Sequence, residues 1–388
     1  MSTAPHPARH YGMDWLRIGA FAILILYHVA MVFVPWGFHV KSVHRAGDVA
    51  MLPMLATNAW RLTLLFVVSG YATRALFARS HGIGAFVGDR SRRLLVPLLF
   101  GMAVITPPQG WIELVTQHGY RDSFLHFWAS DWFRPAKIDG VSVPSWNHLW
   151  FVIYLWVYTA VLALSIVLAR PLRWQHGFDR AFAGIGVLLL PLAWYAAVHV
   201  WWFPMVGETH GLFDDPMAHL QYLFAFLFGF GLARGEGVMA AVVRWHRWAA
   251  GAAALGYGWV AAVQLGWVPY EGDWARAYGL AHALEQWASI VALIGFAERH
   301  CNRDAPIRPM LTEAVFPFYL IHQTVIVVVA YWLRGAGLSM LAESAVLVAA
   351  TIAGCIGFYL VGRRIGPLRP LIGLRRHPRP APAVASHA

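Results

Sequence analysis

Two kinds of ionisable side chain stand inside long apolar stretches of this 388-residue sequence, a setting in which each is costly to keep. The first kind is histidine: His28, His148 and His322. An imidazole titrates at about pH 6.5 when unperturbed, which suits it to moving a proton to or from a hydroxyl. The second kind is arginine: Arg17, Arg61, Arg90 and Arg93. Arg90 and Arg93 are three residues apart and share a helix face. Two guanidiniums there make a forked site for phosphate or pyrophosphate, while Arg92 beside them reads as an anchor that snorkels to headgroups. Eleven residues separate Arg17 from His28, about 16 Å along a helix and almost the same face. One helix therefore presents a cation low and an imidazole high on a single line. Asp14, three residues before Arg17, is placed to pair with it. His322 reaches a height similar to that of His28, as do Arg61 and Glu285 coming from the other side. Glu285 is the candidate to orient His28 or to neutralise Arg61. His148 opens a later helix near the outer boundary.

The elements that must carry these groups are membrane helices. Apolar residues make up 59% of the chain and charged ones 13%, against about 25% charged in soluble domains. About ten windows are long enough to cross a hydrocarbon layer: 15–35, 55–75, 92–110, 147–169, 181–203, 217–233, 248–268, 277–297, 311–333 and 341–362. The third is the weakest, broken by Pro97, Pro107 and Pro108. The expected fold is all-α, a polytopic integral membrane bundle of about ten transmembrane helices. The net charge of +11 comes from 30 Lys and Arg against 19 Asp and Glu. With the N-terminus cytoplasmic, twenty-one arginines fall on the cytoplasmic side and seven Lys and Arg on the other. That is the positive-inside pattern, and it predicts both termini in the cytoplasm. The charge needs no nucleic-acid partner to explain it; the surroundings it implies are membrane lipids. Two cysteines, Cys301 and Cys355, exclude a disulfide framework. The first window lacks a small-residue cleavage site and reads as a retained helix. The chain thus divides into a cytoplasmic segment (1–14), one transmembrane domain (15–364) and a basic cytoplasmic tail (365–388). Residues 108–146 form the long outer loop, rich in aromatics such as Trp111, Trp128, Trp132 and Trp146. They read as an interfacial segment or as a platform on which sugar rings could stack.

A phosphate-binding layer below and a general base some 16 Å above it fit acyl-coenzyme A. The nucleotide would stay at the inner layer while the pantetheine arm delivers the thioester upward to His28. A hydroxyl from the outer side, deprotonated by His28, would attack the carbonyl, with Arg61 and His322 as candidate donors to the oxyanion. The same polar groups also fit a proton-coupled secondary transporter of a small solute, although no internal repeat is visible to support it. No metal is expected, because His28, His148, His322 and Glu285 lack short-range ligand spacing. Two His-x4-Asp spacings, His126 to Asp131 and His210 to Asp215, fall in outer loops and read as chance.

Four segments, in order, resemble the acyltransferase family 3 membrane proteins. Tyr11-Gly12-Met13-Asp14-Trp15-Leu16-Arg17, followed by His28, resembles the family's opening helix, with its arginine, ten intervening residues and histidine. Arg90-Ser91-Arg92-Arg93 matches the arginines at the start of its third helix. Trp146-Asn147-His148 resembles its aromatic-flanked histidine, and Tyr319-Leu320-Ile321-His322 its late Tyr-Leu-x-His helix. The resemblance implies acyl-coenzyme A (acetyl or succinyl) as donor, a carbohydrate acceptor at the outer face, and a multi-pass protein of the bacterial inner membrane, with a homo-oligomer as an open option. It implies that Arg17 and His28 are essential, that Arg90 and Arg93 bind the donor, and that His148 and His322 contribute, with Trp146 beside the acceptor. In layout the chain is most similar to the glucan-modifying branch that includes the periplasmic glucan succinyltransferases. Met13 and Trp15 depart from the commoner Leu-Asp-Gly-Leu-Arg opening.

Overall fold

The computed structural model describes residues 10–168 and 171–375, without the side chains of 171–173. Arg9, Arg170, Arg376 and Arg379 of the charge map, the side chain of Arg173 and residues 376–388 of the expected basic tail lie outside the described residues. Apolar sequence folds here into a helical membrane bundle, because a helix satisfies its own backbone polar groups in hydrocarbon. By length and composition, eight helical stretches among the described residues can cross a membrane. They are Tyr11–Ala30, Asp48–Ala78, Ile83–Gln117, Asn147–Leu168, Gly186–Val206, Gly272–His300, Arg308–Leu333 and Met340–Arg364. The sixth and seventh expected spans fall on Pro216–Leu232 and Glu236–Gln264, which meet at a 112° bend and together count as a ninth at most. Asp215 starts the first of these by accepting from the Ala218 N–H at 2.8 Å, the usual work of an N-cap.

The helices that position the site are α1 (Tyr11–Ala30), α2 (Leu52–Asn58), α3 (Arg61–Ala78), α4 (Ile83–Phe100) and α5 (Pro107–Glu113). They are followed by α6 (Trp150–Leu168), α7 (Pro171–Phe182), α8 (Gly186–Ala197), α9 (Pro216–Leu232) and α10 (Glu236–Gln264). The last three are α11 (Gly272–His300), α12 (Arg308–Leu333) and α13 (Met340–Arg364). The third span differs from expectation. Its prolines do not end it: a wide π-turn at Gly101–Ile105 lies between Pro97 and Pro107, and a second at Leu114–His118 prolongs the helix beyond Glu113. The loop expected from residue 108 therefore begins only after His118. It holds the chain's only described strands, β1 (Ala136–Ile138) and β2 (Val141–Val143), paired antiparallel.

Between α3 and α9 the backbones touch. A Cβ on Gly70 would lie 1.9 Å from the Phe226 carbonyl oxygen, and one on Gly229 would lie 1.9 Å from that of Val67. Lipid tails are as apolar as leucine, so packing of this closeness is a main source of association between membrane helices. The pair sits beside Phe66, Phe226 and Tyr158, which are almost wholly buried. Gly70→Ala should therefore destabilise the protein by about 1–3 kcal/mol and lower its melting temperature in detergent. Gly19→Ala, where an added Cβ meets nothing within 4 Å, is the control and should not.

Candidate functional site

The histidines of α1 and α12 meet. His28 Nδ1 lies 2.8 Å from His322 Nε2, and His322 Nδ1 lies 2.7 Å from the Tyr319 carbonyl oxygen. A carbonyl only accepts, so Nδ1 of His322 must carry its hydrogen. In the neutral ring Nε2 is then an acceptor, and the shared bond is donated by His28 Nδ1–H. That leaves His28 Nε2 with its lone pair, and no protein group among the described residues is bonded to it. His322 is wholly buried; His28 is half-buried and stacked beneath Phe38 with ring centroids 6.3 Å apart.

His148, on the turn that opens α6, holds this pair from the side. Its ring stands edge-on to His322 at 5.1 Å. Its Nε2 donates to the Leu320 carbonyl at 3.2 Å, and its Nδ1 faces the Gln109 amide at 3.4 Å. Both nitrogens are engaged within the protein, so His148 offers none to a substrate and acts as a positioning residue. Trp146, just before it, is partly buried against the core. Gln109 also donates to Thr324 Oγ1 at 2.6 Å and accepts from the Gln323 amide at 3.1 Å. Thr324 in turn donates to the Ile105 carbonyl at 2.7 Å. This network ties α5 and α12 together behind the histidines.

The pairing expected of Glu285 does not form. Both carboxylate oxygens of Glu285 are buried without a hydrogen-bond partner, so Glu285 neither orients His28 nor neutralises Arg61. Arg61 donates instead to Asn58 Oδ1 at 2.8 Å and lies over the Tyr27 ring at 3.4 Å, a cation–π contact. Tyr27 donates to the same Asn58 oxygen at 3.1 Å and is edge-on to His28. Arg61 thus reaches the histidines through Tyr27. Asp14 is bonded to Arg308 at 2.5 Å and its charge also acts on Arg17, which donates to the Thr312 carbonyl at 2.7 Å. The bonding neighbours of Asp14 and Arg17 lie some three hundred positions away in sequence, beyond the reach of periodicity.

Arg17 stands lower on α1 than His28, about 16 Å along an unbroken helix, and its Nε is buried without a partner. Arg90 and Arg93 are one turn apart on α4 but have separate partners. Arg90 Nε donates weakly to Thr159 Oγ1 at 3.4 Å, and Arg93 pairs with Asp89 at 3.1 Å.

Several polar groups were missed from the sequence. Gln286 accepts from His199 at 2.8 Å and donates to Thr63 and Gln221 at 2.8 and 2.9 Å, a second buried network across α3, α9 and α11. Amides in the middle of spans are as noteworthy as charges, and that signal would have found Gln221 and Gln286. Outside the spans, Glu208 accepts from Tyr222 at 2.6 Å and contacts His210 at 3.0 Å. Burial raises its pKa, but these bonds outweigh burial and hold the carboxyl below its ordinary range. His39, next to the covering Phe38, bonds Glu113 at 2.5 Å. Among the described residues no group of three or more His, Cys, Asp or Glu could hold a metal ion.

Comparison with known proteins adds the following. A sequence model described as acyltransferase domain matches residues 10–360. The glucans biosynthesis protein C of Salmonella gallinarum (strain 287/91 / NCTC 13346) is 25% identical over 198 residues, 50% of this chain and 48% of the relative. Its namesake in Salmonella paratyphi B (strain ATCC BAA-1250 / SPB7) is 25% identical over 164 residues, 42% of this chain and 40% of the relative. The chain thus aligns with about half or less of the length of these relatives. No solved structure matches it.

A buried carboxylate with no partner costs stability, and its neutral amide costs less. Glu285→Gln should accordingly melt no lower than the wild type in a thermal-shift assay. A drop of several degrees would mean that the carboxylate holds a partner.

Proposed function

The chain belongs to the acyltransferase family 3 membrane proteins, and from that premise we propose that it moves an acetyl or succinyl group from cytoplasmic acyl-coenzyme A to a hydroxyl of a glycan at the outer face of the bacterial inner membrane. Both termini lie in the cytoplasm in this reading. The observation that carries it is the open Nε2 of His28 at the end of the carbonyl–His322–His28 chain. The glycan acceptor draws its support from the relatives named for glucan biosynthesis.

The acceptor hydroxyl gives its proton to His28 Nε2 as its oxygen attacks the thioester carbonyl carbon. The resulting imidazolium is held through Nδ1–H by His322 Nε2, whose orientation the Tyr319 carbonyl fixes. Collapse of the tetrahedral intermediate breaks the carbon–sulfur bond, and the proton on His28 passes to the departing thiolate. Bonds and protons balance, and no acyl-enzyme is required. Arg61, stacked on Tyr27, supplies positive charge near the developing oxyanion. At the lower level Arg17, with its unpartnered Nε, and Arg90 and Arg93 receive the donor phosphates. Arg93 would exchange its exposed Asp89 partner for a phosphate, a small loss because exposed ion pairs are worth at most about 1 kcal/mol.

The test is coenzyme A release by the purified, detergent-solubilised protein, given acetyl- or succinyl-coenzyme A with and without a mixed glycan extract. Release should rise with glycan and fall at least about 100-fold in His28→Ala, while donor binding persists. Arg93→Ala should raise the KM for the donor about tenfold with kcat little changed. Undiminished transfer by His28→Ala would overturn the mechanism. Thioester left untouched by folded protein that does not bind coenzyme A would favour a transporter.

A further inference from the structure

Where α12 ends and α13 begins, on the same end of the bundle as His28, a cavity of about 320 Å³ is lined by Val43, His44, Arg334, Gly337, Leu338 and Glu343 among others. Its size lies near the lower end of the range for small-ligand pockets, about 300–1,000 Å³. Glu343 is 3% exposed. One of its oxygens accepts from Ser42 Oγ at 2.6 Å; the other, Oε1, is buried without a partner. His44 donates through Nε2 to the Leu338 carbonyl at 2.7 Å, which leaves its Nδ1 as an acceptor. A sheltered carboxylate oxygen with nothing bonded to it is costly unless a ligand supplies a donor.

We propose that this cavity is a carbohydrate subsite, in which Glu343 holds a sugar unit neighbouring the one presented to His28. The lining has both signs of charge. Arg334 opposes an ammonium ligand and Glu343 opposes an anion, whereas a neutral polyol can donate a hydroxyl to Glu343 and accept from Arg334. Val43, Leu333 and Leu338 offer apolar surface for the C–H face of a sugar ring. One short segment joins the cavity to the histidines. Phe38 covers His28, and Ser42, bonded to Glu343, is four residues further on, at most about 14 Å of extended chain. A glycan extending from the cavity would therefore have only a short distance to span to reach the histidines. This assignment rests on the glycan reading above.

Its test measures binding and transfer separately, using laminaritetraose and cellotetraose as probes on wild type, Glu343→Gln and Val43→Trp. Val43 is 68% exposed, so the tryptophan obstructs the cavity while leaving the Ser42–Glu343 bond in place. Calorimetric affinity for a probe that the wild type binds should fall at least tenfold in both variants. The KM for that acceptor should rise by a similar factor, with donor KM unchanged. Wild-type affinity and acceptor KM in both variants would overturn the subsite and leave the glycan reading standing. Failure of the wild type to bind or acylate any glucan, despite glycan-independent thioester turnover, would overturn both.

Discussion

An imidazole packed against a backbone carbonyl has its tautomer chosen for it. In this protein the Tyr319 carbonyl fixes His322, His322 fixes His28, and the outcome is one imidazole nitrogen left free. The arrangement depends on α12 keeping Tyr319 and His322 three residues apart on one face and on α1 bringing His28 alongside. His148 and the Gln109–Thr324–Gln323 network keep the ring of His322 from turning. Each of those groups would be expensive to leave unpaired where water is scarce, so the burial that makes the network costly also makes it specific.

Elsewhere in the bundle two helices approach one another more closely than aliphatic side chains would allow. Gly70 and Gly229 bring the backbones of α3 and α9 together, and the Gln286 network crosses from both of them to α11. Small residues and buried amides are the two adhesives open to helices in lipid, and this bundle uses them side by side. The carboxylate oxygens of Glu285 and Nε of Arg61 are among the buried polar atoms left without a partner.

The residues themselves were largely legible in the sequence, and their partners were not. Apolar windows located nearly every span, and helical arithmetic placed Arg17 and His28 on one line and His322 at the height of His28. The same arithmetic says how high a group stands but not which helix stands next to it. It therefore missed that Asp14 bonds Arg308, and it gave Glu285 a partner that the bundle does not bring to it. The third span shows a second blind spot. Its helix continues past its prolines, so breakers alone placed the start of the outer loop too early. The contributions of Phe38, Gln109 and Ser42 depend on loop and cross-helix geometry, which no periodicity encodes.

Phe38 has a consequence of a different kind. Its ring stacks on that of His28, and its neighbour His39 bonds Glu113. A base that activates a sugar hydroxyl would activate water as readily, and hydrolysis competes wherever water reaches a reactive acyl group. If His28 is the base, the fraction of donor lost in futile cleavage would depend on the aromatic ring stacked against it, outside the reacting set. Leakage and turnover would then be separately tunable, one set at that ring and the other within the bundle.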